Sequence, residues 1–301
     1  MNDKKRLEKM GYRFGGKNKH AAVKICEWTR ESLRGKGVCY KEKFYGIKSH
    51  RCLQMAPGVN SCNHKCAFCW RDINITNPKW NGPIDEPEVI LNKLIEEQRK
   101  LLMGFKGFDK TDMKKFKEAM EPNQVAISLA GEPCLYPKLP ELVDLINNRK
   151  MTSFLVTNGT IPEMVKKLEK HQPYQLYVTL AAPNEEIYKK TCGPMIKNGW
   201  KKIMKTLSLL KKFKRTVIRL TLCKNLNMIN PEEYAKIIEK AKPKWIECKA
   251  YMSIGYSRDR LGPAYMPTHE EIKKFAKEIE KHSSYKIVGD QKASRVVLLT
   301  A

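Results

Sequence analysis

Six short apolar runs, each followed by a stretch of helical periodicity, constrain this chain more than any other feature. Cys52–Ala56, Gln124–Ala130, Ser153–Val156, Leu176–Leu180, Val217–Leu222 and Trp245–Ala250 have strand length and composition, and Arg295–Thr300 adds a seventh. Helical patterns lie near Asp85–Lys106, Leu139–Asn148, Pro162–His171, Asn198–Phe213, Pro231–Lys240 and Thr268–His282. Two of these open on strong start signals: Asn230-Pro231-Glu232-Glu233 orders a cap, a proline and first-turn acids, and Thr268 to Glu271 has capping-box spacing. Strand followed by helix followed by strand implies right-handed crossovers and a parallel sheet. Six such units suit an incomplete (βα)6 barrel better than a flat sheet. The expected fold class is therefore α/β, with residues 50–301 as the barrel domain and residues 1–49 as an N-terminal extension.

In such folds chemistry gathers at the carboxyl ends of the strands. Polar or glycine-containing segments stand there: Ala130-Gly131-Glu132-Pro133, Thr157-Asn158-Gly159 and Ala181-Ala182-Pro183-Asn184. Each glycine taken singly reads as a turn former. Inward polar residues are expected on two strands, Arg219 with Thr221 and Glu247 with Lys249 and Tyr251.

The ten cysteines are too few for a small disulfide scaffold and read as metal ligands in a reducing cytoplasm. Cys62, Cys66 and Cys69 form C-x3-C-x2-C in the loop after the first strand. Three thiolates so close in sequence converge on one centre at little loop-closure cost. Zinc competes, through Cys66 and Cys69 with Cys62 or His64, but no second tight pair follows to complete a structural site. Three ligands without a fourth suit a [4Fe–4S] cluster with one open iron. Cys26, Cys39 and Cys52 are spaced by twelve residues and then twelve again, so three buried thiols and a second cluster both fit. Cys134, Cys192, Cys223 and Cys248 sit in or beside apolar runs and read as core thiols.

Charge supplies the partner. Fifty-eight Lys and Arg stand against 32 Asp and Glu, a formal charge of +26. Residues 1–51 hold 15 basic and five acidic residues, and residues 187–231 hold 12 basic residues and no acid. That balance points to a polyanion, most simply nucleic acid, although a solvated basic surface would look the same. No stretch approaches the ~20 apolar residues that a membrane-spanning helix requires, and a cytoplasmic, monomeric protein is expected.

With Phe68 before its last cysteine, the C-x3-C-x2-C loop resembles the signature of radical S-adenosylmethionine (SAM) enzymes. The resemblance implies a barrel of that type, SAM on the open iron, Gly131 and Glu132 at the SAM amino group, and Asn158 and Thr179 near its ribose and carboxylate. Ala130 stands where the superfamily has a further glycine. More closely, Cys62 to Arg71, Ser128 to Pro133, Thr157-Asn158-Gly159 and Arg219 to Leu222 are similar to the tRNA wybutosine-synthesizing protein 1 family over about residues 20–300. Cys26, Cys39 and Cys52 match that family's ligands for a second [4Fe–4S] cluster. The resemblance implies 4-demethylwyosine synthase activity: pyruvate adds two carbons to N1-methylguanosine at position 37 of phenylalanine tRNA, held by its anticodon stem-loop. Lys41, two residues after Cys39, is the candidate to pair with pyruvate or form a Schiff base with it, against its reading as an ordinary surface lysine. Tyr256, Arg258, Arg260 and Tyr265 are candidates for tRNA contact, against the equal reading of a mobile basic surface loop. Only about fifty residues precede Cys52, too few for the flavodoxin-like domain of eukaryotic members, so the archaeal form and an external electron donor are expected. Another radical SAM RNA-modifying enzyme, such as a methylthiolase, or a zinc-stabilised RNA-binding protein are the alternatives. The N-terminal trio discriminates among them.

Overall fold

The computed structural model describes residues 3–301, which divide into two compact units. The first comprises residues up to Ser61, Lys79–Val156 and Lys170–Tyr174. Its helices are α1 (Asp3–Lys9), α2 (Glu27–Leu33), α3 (Tyr40–Tyr45), α4 (Pro87–Met103), α5 (Met113–Ala119) and α6 (Leu139–Asn148). Its strands are β1 (Arg13–Gly15), β2 (Ala21–Val23), β3 (Cys52–Ala56), β4 (Gln124–Ile127) and β5 (Thr152–Thr157). β3, β4 and β5 run parallel, while β1 and β2 add on antiparallel at the β3 side. α4 lies over β1–β3 and fully buries Ile90, Leu91 and Leu94. Burial of each is worth about 1.5–3 kcal/mol.

The second unit comprises Cys62–Pro78, Thr157–Glu169 and Gln175–Ala301. It holds α7 (Pro162–Lys167), α8 (Glu185–Cys192), α9 (Gly199–Leu209), α10 (Pro231–Ala241), α11 (Ser257–Arg260) and α12 (His269–Lys281). Its strands are β6 (Gln175–Thr179), β7 (Thr216–Leu222), β8 (Trp245–Ala250), β9 (Lys286–Gln291) and β10 (Val296–Thr300). β6, β7 and β8 are parallel; β10 pairs antiparallel with β8 and with β9. The seventh apolar run is thus the return strand of a hairpin. α12 begins on the expected capping box. α10 begins at Pro231 as its sequence requires, but Asn230 is left-handed (φ 47°) and makes no side-chain cap.

The six parallel strands are those legible in the sequence. β4 ends at Ile127 and not at Ala130, because the N–H groups of Ser128 and Leu129 both turn to the Met55 carbonyl, at 3.1 and 3.0 Å. β7 and β8 bring the expected polar residues into register, Arg219 opposite Glu247 and Thr221 opposite Lys249. The Arg219 guanidinium donates to Glu247 Oε2 at 3.0 and 2.9 Å and lies over the Tyr177 ring. Glu247 is fully buried. Truncating one partner of such a pair strands the other charge and costs about 3–5 kcal/mol. Glu247→Ala is therefore expected to lower the melting temperature by roughly 10 °C, a shift that differential scanning calorimetry reads directly.

Candidate functional site

In the first unit, the even spacing of Cys26, Cys39 and Cys52 has a structural cause. Cys26 is the residue before α2, Cys39 the residue before α3, and Cys52 the first residue of β3. Cys39 does not spend its side chain on capping its helix. All three are half-buried and none is in a disulfide. Burial pushes the Cys52 thiol up, the charges of Cys26 and Cys39 add to that, and the Lys41 ammonium opposes it. Cys26 is likewise raised by burial, against the pull of the Trp28 and Thr29 amides and Lys41. Three thiols and one cation thus act on one another within a small volume.

Side chains that sequence reasoning passed over hold this arrangement. Ser49 Oγ accepts from the Cys39 N–H at 2.8 Å and donates to Glu42 Oε2 at 2.5 Å. The Ser49 N–H also donates to Glu42, and the Ser49 carbonyl accepts from Thr29 Oγ1 at 2.9 Å. Ser49 therefore ties α2, α3 and the approach to β3 into one frame. Ser49→Ala leaves the Cys39 amide and the Glu42 carboxylate short of a partner, a cost of about 1–3 kcal/mol. The expected result is a lower melting temperature, read by differential scanning calorimetry. Lys41 stands on the first turn of α3, half-buried, with Nζ 5.0 Å from the ring centre of the buried Phe154.

Gly131 and Glu132 lie in the same unit. Gly131 has φ +73°, and a Cβ there would stand 2.1 Å from the Gly58 carbonyl oxygen and 2.7 Å from that of Ser61. Only glycine allows this approach. The Glu132 N–H donates to the Ser61 carbonyl at 2.6 Å, and its buried carboxylate accepts from the Cys134 N–H at 3.0 Å. The Pro57–Ser61 segment is fixed further by His20. Its Nε2 accepts from the Asp85 N–H, which selects the tautomer whose Nδ1–H donates to the Pro57 carbonyl at 2.7 Å.

In the second unit, the loop carrying Cys62, Cys66 and Cys69 is gripped on both flanks. Lys65 N–H donates to the Cys192 and Gly193 carbonyls, and Ala67 N–H to the Thr191 carbonyl, all at the C-terminal end of α8. On the other flank, Tyr256 N–H donates to the Trp70 carbonyl at 3.1 Å. Arg260 donates to the carbonyls of Ala67, Cys69 and Arg71. Arg260, expected at tRNA, is instead committed to this loop. Gly255, at φ +55°, lets the Trp70 carbonyl in where a Cβ would come within 2.3 Å of it.

Asn158 reaches the loop through a residue the sequence did not mark. Its Nδ2 donates to Asn63 Oδ1 at 2.8 Å, while Asn63 Nδ2 donates to Thr160 Oγ1 at 2.7 Å. Thr179 is half-buried at the end of β6, in register with Arg219. Burial pushes the Cys223 thiol up to about 12 and pulls His64 down to about 4. Cys134, Cys223 and Cys248 are core thiols as expected, and Cys192 is equally buried but adjoins Cys66. Contact with Cys192 and burial both raise the Cys66 thiol, and Arg71 opposes them.

The acid-free run 187–231 is compensated in space. Lys189, Lys190, Lys205, Lys212, Arg219 and Lys224 pair with Glu185, Glu186, Glu163, Glu169, Glu247 and Glu271. Most of these pairs are exposed and contribute little to stability. They do halve the net charge that the run alone suggests.

No cysteine of either trio is in a disulfide, so both offer sulfur donors, the ligand type iron–sulfur clusters take. The parallel strands and the cysteine loop mark a radical SAM protein, and residues 57–241 match the model of the Radical SAM superfamily. Residues 240–301 match that of Wyosine base formation. The S-adenosyl-L-methionine-dependent tRNA 4-demethylwyosine synthase of Pyrococcus abyssi is 48% identical, over 97% of this chain and 86% of that protein. Its Methanocaldococcus jannaschii counterpart is 42% identical over 97% and 94%. Mouse TYW1 is 38% identical, but the match spans only 40% of that longer protein. Among solved structures, TYW1 with a lysine-pyruvate adduct bound superposes with a TM-score of 0.89 at 41% identity, covering 99% of this chain and 95% of that one. A radical SAM methyltransferase from Sphaerobacter thermophilus, at 12% identity and a TM-score of 0.51, shares the fold alone. The chain belongs to the tRNA 4-demethylwyosine synthase family.

Proposed function

We propose that this chain condenses pyruvate with N1-methylguanosine-37 of phenylalanine tRNA, with Lys41 as the residue that captures pyruvate. Cys62, Cys66 and Cys69 would hold a [4Fe–4S] cluster, which would supply the electron for reductive SAM cleavage and so radical chemistry at the guanine N1-methyl group. Gly131 and Glu132 would hold the methionine end of SAM, Gly131 by letting the Gly58 and Ser61 carbonyls pack closely against it. Asn158 and Thr179 serve the ribose and carboxylate, and Asn158 also steadies the residue after Cys62. Cys26, Cys39 and Cys52, two of them from the 1–49 extension, hold the second [4Fe–4S] cluster.

Lys41 carries the reading, because its ammonium lies over the Phe154 ring and it is the cation that acts on Cys26 and Cys52. Its amine attacks the keto carbon of pyruvate, water leaves, and the protonated imine holds the remaining carbons in place. A relative crystallised with a lysine-pyruvate adduct supports this choice over simple ion pairing. Such tethering turns a three-component encounter into a positioned reaction.

The formal charge of +26 favours the anticodon stem-loop, whose unstacked bases present position 37 at lower cost than a duplex would. An external electron donor and a monomeric form in the cytoplasm complete the proposal. Among the described residues no helix is long and apolar enough to cross a membrane. Sodium cyanoborohydride added with pyruvate tests the central step. The expected result is one reduced pyruvyl group on Lys41 by peptide mass spectrometry; labelling confined to other lysines would contradict it.

A further inference from the structure

His64, Cys66 and Cys192 have ligand atoms that all lie within 4.8 Å of one another. In a tetrahedral zinc site, metal–sulfur and metal–nitrogen bonds of about 2.3 and 2.0 Å place neighbouring ligand atoms roughly 3.5–3.8 Å apart. Small side-chain rotations therefore close the group on one ion. His64 and Cys192 are each 3% exposed and Cys66 is half-buried, so two of the three donors lie away from bulk water and the third opens towards it.

The backbone holds the donors in place without a metal. Lys65 N–H donates to the Cys192 carbonyl at 3.0 Å, Ala67 N–H to Thr191 at 2.9 Å, and His64 pairs with Pro194 as an isolated bridge. The two segments that carry the ligands are thus stitched together on either side of them. The His64 ring is oriented as well: Tyr188 Oη lies 2.8 Å from Nε2 and is itself buried. That contact occupies Nε2 and leaves Nδ1 for a metal, the arrangement in which an outer hydrogen bond fixes a ligating imidazole.

We propose that the cluster-free chain binds a single zinc-class divalent ion through His64, Cys66 and Cys192, with water in the fourth position and Tyr188 orienting the histidine. Two thiolates, one imidazole and an open position form an established zinc ligand set. The sequence concealed it because Cys192 is 126 positions beyond Cys66 and reads as a core thiol. One consequence rests on the cluster reading above: since Cys66 is also claimed by the first cluster, the ion and that cluster exclude each other. The site itself does not rest on that reading.

Cobalt(II) added to anaerobic, reduced, cluster-free protein is the probe. The expected spectrum has tetrahedral d–d bands and a thiolate-to-cobalt charge-transfer band of two-thiolate intensity. Cys192→Ala should halve the charge-transfer band. Tyr188→Phe, nearly isosteric and therefore fold-preserving, should weaken cobalt affinity about 10–100-fold, the usual loss when an outer partner is removed. Cys69→Ala should leave the spectrum unchanged. A spectrum lost in Cys69→Ala and retained in Cys192→Ala would overturn the assignment in favour of a site within the cysteine loop. Absence of any thiolate-to-cobalt band would overturn it outright. Preloading with zinc should slow assembly of the first cluster only. If assembly is unaffected while the cobalt spectrum is as expected, the shared use of Cys66 fails and the metal site stands.

Discussion

Lys41→Arg is expected to lower formation of the tricyclic base by at least about 10³-fold, a conservative share of effective molarities that reach 10⁵–10⁸ M. Arginine keeps the positive charge and can still lie over Phe154, whose ring centre is 5.0 Å from Lys41 Nζ. It retains electrostatic attraction for the pyruvate carboxylate, but its guanidinium forms no Schiff base. A role limited to ion pairing would therefore survive the change with a modest rise in KM. A covalent role would not. Reductive cleavage of SAM to 5′-deoxyadenosine should continue in the variant, because Cys62, Cys66 and Cys69 are untouched. Single-turnover assays that quantify both products separate these outcomes.

Cys39→Ala is expected to have the second large effect. The parent should carry about eight irons and eight sulfides, the sum for two four-iron clusters, and the variant about four. SAM cleavage should persist and ring formation should stop. The physical basis is local: Cys39 precedes α3, its amide is held by Ser49, and Lys41 follows two residues later. Removing the thiol would take away one of the three ligands proposed for the N-terminal site and disturb the surroundings of the lysine. Cys66→Ala should give the complementary pattern, with the N-terminal iron retained and SAM cleavage abolished. Full product from Cys39→Ala would show that the N-terminal trio is dispensable.

What the sequence revealed and what it hid follow from the range of the interactions involved. The parallel strands were legible because their runs are short, apolar and bounded by turn residues. Their register was not, so the pairing of Arg219 with Glu247 across β7 and β8 emerged only in three dimensions. Helix α12 announced itself by a capping box that depends on neighbours three residues apart. α2 and α3 did not, being seven and six residues long with cysteines at their leading ends. Helices that short draw their stability from tertiary contacts more than from propensity.

The candidate site shows the same division. The C-x3-C-x2-C loop is a local motif and could be read directly. The residues that hold it, Asn63, Thr160, Cys192 and Arg260, come from positions up to 193 apart and carry no local signal. The role Arg260 has here was hidden for this reason: an arginine in a basic surface loop gives no sign that its donors reach three backbone carbonyls of the cysteine loop. Gly255 offered a clue, since a glycine before a helical segment signals a close approach, but which backbone approaches it is a matter of tertiary structure.

The most direct test supplies the anaerobic, cluster-loaded protein with SAM, a low-potential reductant, pyruvate labelled with carbon-13 at all three carbons, and tRNA bearing N1-methylguanosine at position 37. Nucleosides from the digested tRNA are then analysed by mass spectrometry. The predicted product is 4-demethylwyosine carrying two labelled carbons, with 5′-deoxyadenosine formed alongside it. Unmodified N1-methylguanosine in the presence of vigorous SAM cleavage, or a product without pyruvate carbon, would contradict the assigned function.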